Sequence, residues 1–173
     1  MTAPVGLFYG SSTCYTEIAA EKIAECLGTD LVDIFNVADT PVSTMENYSK
    51  LILGIPTWDY GELQEDWESC WDDIEQLDLS HTTVALYGLG DQEGYPEWFQ
   101  DALGYLWAKV VNRGATAIGS WPTTGYSFEE SKALTDSGEY FVGLALDEDS
   151  QFELSDQRIQ DWCRQIRREF ALD

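Results

Sequence analysis

The stretch "VGLFYGSSTCYTEIAAEKIAECLG", residues 5–28, reads as a strand, a hydroxyl-rich turn and a helix in succession. Val5–Tyr9 is a short apolar run closed by Gly10, the pattern of a buried strand. Past the turn, Ala19, Ile23 and Leu27 share one helical stripe, and Gly28 stands where a helix would terminate. The same alternation continues outward along the chain. Strand-like runs recur at residues 31–35 (LVDIF), 51–55 (LILGI), 83–87 (TVALY), 115–119 (ATAIG) and 141–146 (FVGLAL), with stretches of helical period between them. Phe99, Ala102, Leu103, Leu106 and Val110 keep helical spacing, as do Ile159, Trp162, Cys163, Ile166 and Phe170. Strands alternating with helices make βαβ units, so the expected fold class is α/β, with a parallel sheet covered on both faces.

At 173 residues the chain suits one domain, residues 1–173, large enough for a core without disulfide staples. Residues 120–140, between two strand-like runs, are too long for an ordinary connection and read as an insertion. A hydrophobic fraction of 44% excludes a disordered acidic chain, although 32 acids against 9 bases give a formal net charge of -23. A field of that sign repels nucleic-acid backbones and anionic membranes and favours partners with basic faces. Acids crowd residues 62–78, which read as a third helix, whereas Arg158, Arg164, Arg167 and Arg168 fall in the last one. Cys14, Cys26, Cys70 and Cys163 lack the spacing of a disulfide framework or zinc site. No basic leader precedes the first apolar run, and nothing approaches the ~18 apolar residues of a membrane span. A soluble, cytoplasmic protein is expected.

In a doubly wound sheet, ligands bind beyond the carboxyl ends of the strands, where the winding direction reverses. Loops 10–16, 56–62 and 88–98 should meet there. The first offers the hydroxyls of Ser11, Ser12, Thr13 and Thr16 ahead of a helix N-terminus, which suits a phosphate without any basic side chain. Taken alone it is equally a turn with Thr13 as N-cap. It lacks the lysine and flanking glycines of an ATP-binding loop. The second loop sets Trp58 and Tyr60 around Asp59, ahead of Gly61, as a lid on the core or a stacking platform. The third supplies Gly88, Gly90 and Asp91 and then Tyr95 and Trp98; its glycines admit close backbone approach, or form an ordinary turn. A phosphate site and aromatic faces at one sheet edge fit a flat heterocycle on a phosphorylated tail, which is flavin mononucleotide (FMN).

The segments FYGSSTCYTE, LILGIPTWDYGE, VALYGLGDQEGY, GSWPTTGYSFEESKAL and FVGLALDED, in that order, resemble the flavodoxin family over essentially the full length. The resemblance implies a flavodoxin-like doubly wound, five-stranded parallel sheet in the order 2-1-3-4-5 with helices on both faces. That order is carried over from the family, whose FMN lies at the switch point, and is not read from periodicity. Residues 120–140 resemble the insertion that splits the fifth strand in long-chain flavodoxins. By the same resemblance, Ser11, Ser12, Thr13, Cys14, Tyr15 and Thr16 bind the phosphate, while Trp58 and Tyr95 cover the two flavin faces. Backbone groups of Pro56, Thr57, Gly61, Gly88, Leu89, Gly90 and Asp91 lie near the ring and its tail, and Asp147 contacts the ribityl chain. A peptide at Asp59–Tyr60 or Tyr60–Gly61 reorients as the flavin is reduced.

The implied role is that of a monomeric, low-potential one-electron carrier without catalytic residues. Its donor would be a flavodoxin/ferredoxin-NADP reductase and its acceptors basic-faced redox enzymes. An FMN-dependent NAD(P)H:quinone reductase on the same fold is the alternative. Where the usual phosphate loop reads T-G-N-T, this chain has Thr13-Cys14-Tyr15-Thr16, so residues that tolerate positive φ are missing. The same departure resembles a second flavodoxin paralogue of gamma-proteobacteria.

Overall fold

The structure is a computed structural model that describes residues 2–172; Met1 and Asp173, the two ends of the expected 1–173 domain, lie outside them. Strand β1 (Val5–Tyr9) runs parallel to β2 (Val32–Asn36) on one side and to β3 (Lys50–Trp58) on the other. A short β4 (Glu62–Leu63) folds back antiparallel on the end of β3, and β5 (Thr83–Leu89) pairs with β3 in parallel. The outer position beside β5 is shared by β6 (Thr116–Ile118) and β9 (Leu144–Leu146). Between them, β7 (Trp121–Pro122) and β8 (Tyr140–Phe141) form a separate antiparallel pair. Four α-helices complete the described residues: α1 (Tyr15–Leu27), α2 (Glu65–Ile74), α3 (Asp101–Asn112) and α4 (Ser155–Glu169). The main sheet runs β2-β1-β3-β5-β6, so β1 and β3 flank the point where the winding reverses.

Alternation along the strands decides what covers each face. Val5, Leu7, Tyr9, Ile52, Ala85 and Tyr87 pack with Ile23 and Leu27 of α1 and with Ile159, Trp162 and Ile166 of α4. Phe8, Leu51, Leu53, Ile55, Val84 and Leu86 pack on the other face with Trp67 and Ile74 of α2 and Leu103, Leu106 and Val110 of α3. Both faces of the central strands β1, β3 and β5 are dry, which is why those strands read as continuous apolar runs. Each fully buried Leu or Ile contributes roughly 1.5–3 kcal/mol relative to exposure. The expected stripes on α1, α3 and α4 are the buried ones.

Three details differ from the sequence reading. The link from β2 to β3 holds no α-helix; Val42–Asn47 forms a 3-10 segment that buries Val42 and Met45. The acidic stretch 62–78 therefore supplies the second α-helix rather than the third, and Glu62-Leu63 leave it to pair with Thr57-Trp58. The run 141–146 is not one strand, because Phe141 belongs to β8, Val142 donates its N–H to Ala133 O, and the sheet resumes at Leu144. The excursion between the two halves of the outer strand thus spans residues 119–143.

One glycine in β3 positions the site. A Cβ on Gly54 would lie 2.2 Å from the Tyr87 ring. Without it, Tyr87 crosses β3 and donates from its hydroxyl to Thr16 O at 2.9 Å, tying the sheet centre to the first turn of α1. Burial pushes the Tyr87 phenol well above its ordinary pKa, so this donor stays protonated.

Candidate functional site

The carboxyl ends of β1, β3 and β5 open into a cleft of about 340 Å³. From the first loop it is lined by Thr13, Tyr15 and Thr16, from the second by Pro56, Thr57, Trp58 and Asp59, and from the third by Leu89, Gly90, Asp91 and Tyr95. The first helical hydrogen bond of α1 runs from Ile18 N–H to Cys14 O. The N–H groups of Tyr15, Thr16 and Glu17 consequently precede the helical ladder and face the anion-attracting end of the helix. Thr13 is not the N-cap. Cys14 takes that position with φ 72, in the left-handed region, and its side chain caps nothing. Ser11 Oγ is buried without a hydrogen-bond partner among the described residues, whereas Ser12 Oγ accepts from Gln64 Nε2 at 3.1 Å. A buried hydroxyl lacking a partner is costly unless a ligand completes it, so Ser11 fits a phosphate donor set.

The second loop is the tight turn Asp59-Tyr60-Gly61 between β3 and β4, with φ 42 at Asp59 and φ 86 at Gly61. Thr57 Oγ accepts from Ala102 N–H at 3.0 Å, which anchors the hairpin to the start of α3. Trp58 is half-buried at the cleft wall, with an indole N–H that has no partner among the described residues. In the third loop Asp91 caps its own turn, accepting from Glu93 N–H and Gly94 N–H, while Tyr95 N–H returns to Asp91 O. Tyr95 donates its hydroxyl to Asp59 Oδ1 at 3.2 Å, and that bond raises the phenol's pKa.

Seven expected residues stand behind or outside the cleft. Gly88 is an internal residue of β5 paired with Ile55 and Ala145, Gly61 is buried against Asp101, and Ser11, Ser12 and Cys14 support the loop. Tyr60 turns outward at 66% exposure and packs edge-on against Tyr95 and Trp98 at 6.0 and 5.0 Å. Asp147 is fully buried, accepting from Gln92 N–H, Gln92 Nε2 and Ser150 N–H; this carboxylate braces loops and does not line the cleft. Its neighbours Glu148 and Asp149 line it instead. The signal for them was their position after the same strand, but only the hydrogen bonds that bury Asp147 show which of the three acids turns away from the cleft. Burial first, and then the charges of Asp91 and Asp147, raise the Asp149 pKa. The cleft walls thus carry four acids, Asp59, Asp91, Glu148 and Asp149, and no lysine or arginine.

A larger groove of about 760 Å³ between α2 and α3 is floored by Leu63, Trp71 and Ala108. It has neither a helix N-terminus nor a hydroxyl cluster, so the smaller cleft is the one with the chemistry for a phosphorylated heterocycle.

Comparison with known proteins points the same way. The flavodoxin family model matches residues 7–162. Flavodoxin 2 of Escherichia coli K12 is 58% identical over 167 residues, covering 96% of each chain, and Flavodoxin 1 of the same strain is 47% identical over 171 residues, covering 99% of this chain and 97% of its own. A crystal structure of Fusobacterium nucleatum flavodoxin bound to flavin mononucleotide superimposes with a TM-score of 0.89 at 35% identity, covering 95% of this chain and 97% of that one. With the family model spanning most of the chain and relatives matched almost end to end, this protein belongs to the flavodoxin family.

Proposed function

We propose that this flavodoxin is an electron-transfer flavoprotein that binds FMN without a covalent bond and carries electrons singly between redox enzymes. The observation that carries the reading is the cleft itself. Aromatic Trp58 and Tyr95 line it together with Thr13, Tyr15 and Thr16 at the N-terminus of α1, and the buried, unpartnered Ser11 hydroxyl belongs to the same loop. Ser11, Ser12, Thr13, Thr16 and the backbone N–H groups of Cys14 and Tyr15 would hold the phosphate dianion. Trp58 and Tyr95 would exclude water from the ring. Bound FMN supplies one-electron chemistry, and the protein tunes it through what surrounds the ring. Asp59, Asp91, Glu148 and Asp149 disfavour added negative charge in the cleft, which supports a low potential for the second electron.

The working unit is one domain, residues 1–173, acting as a cytoplasmic monomer. Its donor is a flavodoxin/ferredoxin-NADP reductase. The acidic face of α2, where Glu65, Asp66 and Glu68 fill the first turn, is the docking surface for that enzyme and for basic-faced acceptors. A quinone reductase would need an open flavin face for nicotinamide, and the two ring-bearing walls work against it. NADPH added alone is therefore expected to leave the flavin oxidised.

The visible spectrum of the purified protein tests the cofactor. Flavin absorbance at one FMN per chain is expected, and an apoprotein that refuses added FMN overturns the proposal.

A further inference from the structure

Asp147 and Arg158 are buried charges of opposite sign, 0% and 8% exposed, that two glutamines connect. Gln92 Nε2 donates to Asp147 Oδ2 at 2.7 Å and to Gln151 Oε1 at 2.9 Å. That Gln151 oxygen also accepts from Arg158 Nη2 at 2.7 Å, while Gln151 Nε2 donates to Gly125 O at 3.0 Å. Gln92 adds its own backbone N–H to Asp147 Oδ2 at 3.0 Å, and its Oε1 accepts from Ser127 N–H at 2.6 Å. The Arg158 guanidinium lies 4.1 Å over the Tyr126 ring. At 2% exposure, Gln92 is therefore where the third loop, the 119–143 excursion, the turn after β9 and α4 meet.

The excursion grips the same loop a second time. Glu129 N–H and Glu130 N–H both donate to Pro96 O, at 2.8 and 3.0 Å, and Phe99 N–H donates to Glu130 O at 3.3 Å. Tyr95 lies between the two fastenings. Residues 90–98 belong to no helix or strand. Beyond the Asp91 turn, the hydroxyl bond to Asp59 and the edge contact with Tyr60, these two fastenings are what hold the Tyr95 loop against the rest of the molecule. A loop already held in its binding conformation loses less entropy when a ligand arrives.

The geometry points to Gln92 as a positioning residue for the Tyr95 loop, with the 119–143 excursion as its anchor. Gln92 does not line the cleft; it acts through Asp91 and Tyr95. The functional half of this inference rests on the FMN reading, and the structural half does not.

Two variants test it, Gln92→Leu and Gln151→Met; the second keeps the Gln92–Asp147 bonds and serves if the first does not fold. Amide hydrogen exchange on the FMN-free protein should become about tenfold faster at Gly94 and Tyr95, the scale of one or two lost buried hydrogen bonds, with β1 and β3 unchanged. On loaded protein, FMN release should accelerate by a similar factor and the visible circular dichroism of the flavin should change, while the thermal midpoint falls by several degrees and the protein stays folded. Unchanged exchange at Gly94 and Tyr95 in the folded variants overturns the inference. So does an altered loop with unaltered flavin dichroism and release. Wild-type protein that binds no FMN would overturn the carrier reading and the functional half together, and exchange would still decide whether Gln92 holds the loop.

Discussion

Cys14 is the one residue of loop 10–16 that pays an evident backbone penalty. At φ 72 an L-residue is in the left-handed region, and its side chain gains no hydrogen bond in return. Cys14→Gly is expected to raise the unfolding free energy of the FMN-free protein by about 1 kcal/mol, measured by urea titration; an equal or lower value would remove the strain argument. Asp33 gives a pH-dependent counterpart. Its carboxylate accepts from Tyr48 Oη at 2.7 Å and from Ala3 N–H at 2.9 Å, which lowers its pKa, while burial and this same bond push Tyr48 up to about 12. A carboxyl group with a depressed folded pKa stabilises above its unfolded value and loses that contribution as pH falls through the folded value. Asp33→Asn should therefore be less stable than wild type near pH 7, with the gap closing toward about pH 2, below the ordinary carboxylate range. Much of the cleft was legible at this scale, since hydroxyls and rings announce their chemistry by type. The role of Asp147 was not, because its burial depends on partners far along the chain, Gln92 above all.

Among the elements, α3 depends on contact with the excursion. A Cβ on Gly104 would lie 2.2 Å from Lys132 O, a backbone atom that cannot swing away. In a free helix Gly→Ala is worth about 1 kcal/mol of added stability. Here Gly104→Ala is expected to cost about 1–3 kcal/mol net, through overpacking against the excursion. A thermal midpoint at or above wild type would mean that the excursion yields easily. Helices and central strands were readable because each repeats a periodic pattern over several turns or residues. The 3-10 segment at Val42–Asn47 and the two-residue strands are too short to carry a period, and non-local pairing creates them. The break at Val142 is of the same kind, fixed by its bond to Ala133.

Over the whole molecule the charge dominates, at a formal net value of -23. Ion pairs such as Lys22–Asp156 and Lys109–Glu75 engage few of the acids. Electron transfer from a basic-faced reductase should therefore slow steeply between about 20 mM and about 0.5 M salt, as screening shortens the reach of the field. A rate flat across that range would argue against electrostatic docking. Composition made the sign and size of this field legible, and the crowding of acids at residues 62–78 located one part of it along the chain.

The divided outer strand has a consequence for crowding as well. A long, flat border of unpaired amides invites another chain to add a strand. Here that border is cut into two pieces, Thr116–Ile118 and Leu144–Leu146, offset along β5 with a bulky excursion emerging between them. No template of useful length is left on that side, so concentrated protein is guarded there against edge-to-edge aggregation by the same detour that braces its tyrosine loop.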